Sequence, residues 1–193
     1  DLEFPIFETG EIAVISHSWI SKVRYDKDNN KQRLDAWKKE GSLTVTPGSY
    51  VDFQYVYDWF VERSKEYKIL RIRYDRRNSL VLNQQLIDYG FVMEEARQGH
   101  LTLGGPMKDL KERFLSGKVI FNNSKMFRWY LSNVKLEKDR NSNWMPTKQS
   151  KSRKIDGFAA LLNSHVSVVE MFANKSKGDA TVTYYSVDDL LNM

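Results

Sequence analysis

The 193-residue chain contains no cysteine. Disulfides, zinc–thiolate sites and a cysteine nucleophile are therefore excluded, and the absence suits a reducing compartment. No apolar run approaches the ~20 residues that a membrane-crossing helix needs, and no signal peptide opens the chain, so no membrane association is expected. Histidine is scarce: His17, His100 and His165 lie far apart without metal-ligand spacing, and each reads as a surface or core residue. A Walker motif and a G-x-S-x-G elbow are both missing. Gly99, Gly104 and Gly105 do not make a phosphate-binding fingerprint, and Gly104-Gly105-Pro106 reads as a loop entering a helix. The first residue is Asp1 rather than methionine, which reads as a chain cut from something longer or processed.

What is present is an ordinary globular composition, 41% hydrophobic and 28% charged, long enough for one domain with one sizeable core. The net charge of +5 matters only where it is concentrated. Residues 68–77, KILRIRYDRR, carry Lys68, Arg71, Arg73, Arg76 and Arg77 against one acid; residues 147–154, TKQSKSRK, carry Lys148, Lys151, Arg153 and Lys154 against none. Such runs commonly serve as a solvated strand face and a loop. These two differ in that each flanks a carboxylate considered below. Trp37, Trp59, Trp129 and Trp144 read as packing residues rather than base-stacking platforms.

Periodicity predicts a strand over Glu11–Trp19, a short helix over Gln32–Glu40 stopped by Gly41, and a strand over Leu43–Val45. Phe53, Val56, Tyr57, Phe60 and Val61 follow the spacing of one helical face. A strand over Ile69–Tyr74, a helix over Ser79–Tyr89 and a strand over Phe91–Ala96 follow. Pro106 is expected at the first position of a helix carrying Met107, Leu110 and Phe114 and ended by Gly117. Next come a strand over Lys118–Phe121, a helix marked by Phe127, Tyr130, Leu131 and Val134, and a strand over Leu136–Lys138. The longest helix spans Ile155 to about Phe172, with Ile155, Phe158, Ala159, Leu162, Val166 and Val169 as its buried stripe; 173–193 read as an appendage. Strands alternating with helices imply an α/β domain with a largely parallel sheet and an antiparallel start.

Two aspartates stand where chemistry gathers. Asp75 follows the end of a strand, and ligands of open α/β sheets collect at strand carboxyl ends. Asp156 opens the long helix, whose N-terminus stabilises negative charge. Each alone reads more readily as a turn residue or helix cap. Together they can supply hard oxygen ligands to a pair of Mg²⁺ or Mn²⁺ ions about 3.5–4 Å apart, one activating water and one stabilising the leaving oxygen. Arg76, Arg77, Arg153 and Lys154 would then neutralise DNA phosphates without reading sequence.

The order of segments resembles the nuclease domain of tailed-phage or prophage terminase large subunits. The segments are GSLTVTPGSYVDFQYV (Gly41 to Val56), RIRYDRRN around Asp75, ARQG (Ala96 to Gly99) and LSNVKLEKDRNSNWMPTKQSKSRKIDGFAALLNSHV (Leu131 to Val166). The specific features are Tyr74-Asp75, Gln98-Gly99, the Asn133 segment and KIDGFAAL at Lys154–Leu161. The resemblance implies a ribonuclease H-like mixed sheet flanked by helices over residues 1–172. It implies a Mg²⁺- or Mn²⁺-dependent endonuclease that cuts concatemeric viral DNA in the cytoplasm of the bacterial host. Its partners would be double-stranded DNA, an ATPase motor domain, a small terminase subunit and a portal. Asp75 and Asp156 match the second and third acidic positions of the family. The first such position lies on an earlier strand. Asp1-Leu2 can be read as the end of that motif, but LEFPIF reads as the following strand, so a fragment lacking the first strand and its aspartate is expected. A resolvase- or integrase-like enzyme would share the aspartates without the Gln98-Gly99 and Lys154–Gly157 context. A non-catalytic module docking DNA, motor or portal would use them only as caps.

Overall fold

In the computed structural model the described residues are 1–76, 80–140, 143–150 and 153–176. Strand β1 (Leu2–Ile6) folds back on β2 (Glu11–Ile15) as an antiparallel pair, with Leu2 opposite Ile15 and Ile6 opposite Glu11. β2 buries Ile12 and Val14 at alternate positions, the period of a strand with one face in a core. Past Ile15 the burial alternation stops and the hydrogen-bonding partners change. At Ser16 and His17 the chain leaves this sheet. β3 (Ser18–Ser21) then pairs in parallel with β4 (Leu43–Thr46), which follows α1 (Lys22–Asp26) and α2 (Lys31–Lys39). The single strand expected over residues 11–19 is therefore two strands in two sheets. A side-chain pattern reports faces, not partners.

The next unit is α3 (Gln54–Glu66), β5 (Ile72–Tyr74), α4 (Leu80–Tyr89) and β6 (Met93–Glu95). β5 and β6 are parallel, with Tyr74 opposite Glu95. Ile72, Leu82 and Leu86 form their core, against which Val56, Tyr57 and Phe60 of α3 pack.

Helix α5 (His100–Leu115) begins six residues before the expected start and carries Pro106 inside it. An interior proline forfeits a backbone bond and crowds the preceding turn, a cost of about 3 kcal/mol in isolation. Tertiary burial overrides that local signal: Leu103, Met107 and Leu110, spaced by four and three, all lie in the main core. β7 (Val119–Ile120) returns parallel to β2, giving the order β1-β2-β7. After α6 (Lys125–Ser132) comes the hairpin β8 (Val134–Lys138) and β9 (Trp144–Lys148); the sequence predicts no strand at β9, whose last two residues open the basic run 147–154. Pro146 obscures it. In a two-stranded ribbon one edge of each strand needs no partner, so a proline is tolerated there.

The long helix α7 (Asp156–Ser176) packs on β1, β5, α5 and α6. Of its expected stripe, Ile155, Phe158, Leu162 and Val166 are buried, whereas Ala159 and Val169 are half-buried. Leu161, His165 and Val168 are buried as well, because the helix is covered on more than one side. Among the described residues β1 pairs only with β2 and β5 only with β6, and α7 lies across both. No helix of the described residues is long and apolar enough to cross a membrane.

Candidate functional site

Strand β5 is oriented by its arginines. Arg71 Nη1 donates to Glu170 of α7 at 3.2 Å. Arg73 reaches Glu170 at 2.8 and 2.9 Å and, one helical turn earlier, donates through Nε to Ser167 at 2.9 Å. Moving up the strand thus means moving down the helix, so β5 runs against α7. The carboxyl end of β5, where Asp75 stands, points toward the end of α7 where Asp156 stands. β6 agrees: Gln98, just beyond it, donates from Nε2 to Asn163 Oδ1 at 3.1 Å and to the Ala96 carbonyl at 2.9 Å. Gln98-Gly99 and Asp75 therefore lie on the side of these contacts that faces the Asp156 end of α7. Asp75 is half-buried; Asp156 is exposed in the first turn of α7.

The two basic runs divide. Arg71 and Arg73 are committed to Glu94 and Glu170, with Arg73 only 12% exposed. They brace β5 on α7. Arg76, the next arginine along the chain, is exposed. Arg77 lies outside the described residues. Arg153 is exposed and Lys154 half-buried, immediately before Asp156.

The seat of this last segment is the feature that sequence reasoning missed. Asn133, at the end of α6, is fully buried. Its Nδ2 donates to the Lys154 carbonyl at 2.7 Å, and its Oδ1 accepts from Arg153 Nη1 at 3.3 Å. Its main-chain carbonyl accepts the Gln149 N–H at 3.1 Å, and its own N–H donates to the Tyr130 carbonyl at 3.0 Å. Beside it, Tyr130 presses its ring on Gly157: a Cβ there would sit 2.5 Å from Cδ2. The Tyr130 hydroxyl lies 3.1 Å from Ser18 Oγ. Burial, aided by the charge of Asp156, pushes its pKa above the usual tyrosine value, although the bond to Ser18 works the other way. The sequence marked the Asn133 segment only as part of the family resemblance, and nothing local to it told that this amide would hold residues 153 and 154.

His165, read as a surface or core histidine, is fully buried. Its Nδ1 lies 2.5 Å from Glu3 Oε1 and its Nε2 2.8 Å from Asp109 Oδ2. Two carboxylate acceptors require both ring nitrogens to donate, which is the imidazolium. Burial alone would lower its pKa, but the bonds to Asp109 and Glu3 raise it above the usual histidine value. Burial likewise works against the Asp109 carboxylate, yet His165 and Arg113 together bring its pKa down to about 2. His17, by contrast, is pushed down to about 4 by burial.

The donor chemistry at Asp75 and Asp156 fits a hard divalent cation. Mg²⁺ is commonly held by one or two carboxylates together with water and substrate phosphate. Among the described residues no group of three His, Asp or Glu side chains stands where it could hold a metal ion. A pair of ions would need ligands beyond these two aspartates.

Residues 3–171 match the family model described as the terminase large subunit, endonuclease domain. The chain is 26% identical over 151 residues to Protein YmfN of Escherichia coli strain K12, covering 77% of this chain and 33% of that protein. It is 23% identical over 170 residues to the terminase large subunit of Enterobacteria phage HK97, covering 83% and 31%. The crystal structure of the HK97 large terminase superposes with a TM-score of 0.74 at 22% identity, over 86% of this chain and 35% of that one. The chain thus spans about a third of the length of these relatives. The likeness shows the fold, a ribonuclease H-like mixed α/β domain. With the match running almost from end to end, the chain belongs to the family of terminase large-subunit endonuclease domains.

Proposed function

We propose that this domain is the metal-dependent DNA endonuclease of a phage or prophage packaging terminase, cutting concatemeric viral DNA in the host cytoplasm. One observation carries the reading. β5 runs against α7, so the strand end that carries Asp75 heads toward the helix end that carries Asp156, and Arg76, Arg153 and Lys154 lie beside these aspartates in the chain. The residues 1–172 would be the nuclease unit and 173–193 an appendage. Double-stranded DNA is its substrate, and the motor domain, small subunit and portal are its partners in the assembled machine.

In this reading Asp75 and Asp156 hold Mg²⁺ or Mn²⁺. A bound pair of such ions would supply a water of lowered pKa and charge stabilisation at the scissile phosphate. The chain's own part is placement. The start of α7 favours a carboxylate electrostatically. Arg153, Arg76 and Arg77, with the Lys154 ammonium, bind phosphate oxygens and position the strand without selecting a sequence. The half-buried setting of Asp75 keeps its carboxylate at the strand end rather than free in solvent.

A plasmid-cleavage assay in Mg²⁺ or Mn²⁺ tests this. Asp75→Asn and Asp156→Asn should each reduce cleavage at least a hundredfold, and chelation should abolish it. Undiminished cleavage by both variants would sink the assignment. The lack of a third nearby ligand among the described residues favours a second reading, a module that docks DNA or the motor without cutting. That reading gains if wild-type protein binds DNA in a salt-dependent way but never cleaves it.

A further inference from the structure

We propose that Asn133 is a positioning residue of the nuclease site, setting where Asp156 and its two neighbouring cations stand; this rests on the function proposed above. The segment 153–155 has no regular structure of its own. Its path is dictated from α6. Asn133 holds the Lys154 carbonyl with Nδ2 and the Arg153 guanidinium with Oδ1, so one buried amide fixes both the main chain and a side chain. The same residue takes the Gln149 N–H on its carbonyl, tying down the end of β9 where the basic segment begins. Two residues past Lys154, Asp156 starts the helix, and one residue further Gly157 meets the Tyr130 ring at a separation that excludes a Cβ. Tyr130 and Asn133 are three apart on α6 and share one face, which bounds the approach segment on one side and the first helical turn on the other.

Only an amide fits Asn133's position. The site needs a donor toward a carbonyl, bonded at 2.7 Å, and an acceptor toward a guanidinium, bonded at 3.3 Å. Aspartate keeps the acceptor but sets an oxygen against the Lys154 carbonyl. Leucine removes both. A part-buried carbonyl and the Arg153 guanidinium then lose their partner together.

The test compares wild type, Asn133→Asp, Gly157→Ala and Asp156→Asn, using Mn²⁺ titrated by calorimetry and amide hydrogen exchange. Asn133→Asp should weaken Mn²⁺ binding at least fivefold and speed exchange over residues 153–158 at least tenfold. Exchange in α5 should stay within twofold. Gly157→Ala should weaken Mn²⁺ binding similarly, although alanine favours a helix over glycine; it serves if Asn133→Asp does not fold. Mn²⁺ affinity unchanged in the folded variants overturns the proposal while leaving the nuclease reading intact, provided Asp156→Asn lowers that affinity. Uniformly faster exchange, α5 included, also overturns it, since a merely structural residue behaves that way. Mn²⁺ binding that is absent from wild type, or indifferent to Asp156→Asn, overturns both.

Discussion

Replacing His165 by leucine should cost the protein several kilocalories per mole, and the cost should depend on pH. His165 is fully buried, and the Glu3 side chain it contacts is 1% exposed. Removing the imidazolium strands that carboxylate, leaving only the Ser164 hydroxyl at 2.6 Å. Breaking a buried pair by deleting one partner typically costs about 3–5 kcal/mol. For a chain of this size each kcal/mol lowers Tm by about 2–4 °C, so the midpoint should fall by roughly 6–20 °C. The sign of the pH effect follows from the raised pKa of His165. The folded protein holds that proton more tightly than the unfolded chain, whose histidine titrates near 6.5. The stabilisation is complete below pH 6.5 and fades as pH rises through the folded value. Asp109 works in the opposite direction. Its pKa, lowered from 3.8 to about 2, contributes stability above pH 3.8 that is lost as pH falls through about 2. With its side chain 38% exposed, that contribution is on the order of 1 kcal/mol. Urea melts of wild type and His165→Leu at pH 6.0 and 8.5 decide the matter, with Glu3→Gln/His165→Leu expected to recover part of the loss. A leucine variant within 1 kcal/mol of wild type at pH 6.0, or an equal gap at both pH values, refutes the reasoning.

The arginines near the site should separate into two classes. Arg73→Ala, which strips Glu170, Glu94 and Ser167 of a shared partner, should destabilise the domain by about 2–3 kcal/mol and leave the salt dependence of DNA binding unchanged. Arg153→Ala removes one bond to the buried Asn133 Oδ1; it should cost only about 1 kcal/mol of stability and reduce the slope of log K against log salt by about 0.9, measured by fluorescence anisotropy on a duplex. Mn²⁺ at a hundred times its Kd should stabilise wild type by about 2.7 kcal/mol in urea melts, and Asp156→Asn should abolish that increment.

Much of the architecture was legible because apolar spacing is a local record of burial. Phe53, Val56, Tyr57 and Phe60 announced α3, and Phe158, Leu162 and Val166 announced α7. Asp75 and Asp156 were likewise visible, as acids at a strand end and a helix start. Pairing was not visible. Ser16 and His17 sit inside what reads as one extended run but mark a change of sheet, because the partners, β7 and β4, come from distant sequence. β9 hid behind Pro146, whose tolerance depends on the far edge of a ribbon. Pro106 misled because a local breaking tendency is smaller than the burial of Leu103, Met107 and Leu110 around it.

Composition, spacing and the ordered segments by themselves determined an α/β domain of terminase-nuclease type without cysteine chemistry, and they pointed to two carboxylates flanked by cations. Tertiary structure alone decided which cations are available. Arg71 and Arg73 sit in the same run as Arg76, but strand alternation and the acids of α7 and β6 turn them into braces. It alone also decided how the start of α7 is held, since Asn133 and Tyr130 reach residues 153–157 from some twenty or more positions away in the chain. A side chain's local spacing fixes the face it presents. What meets that face depends on the path of the rest of the chain.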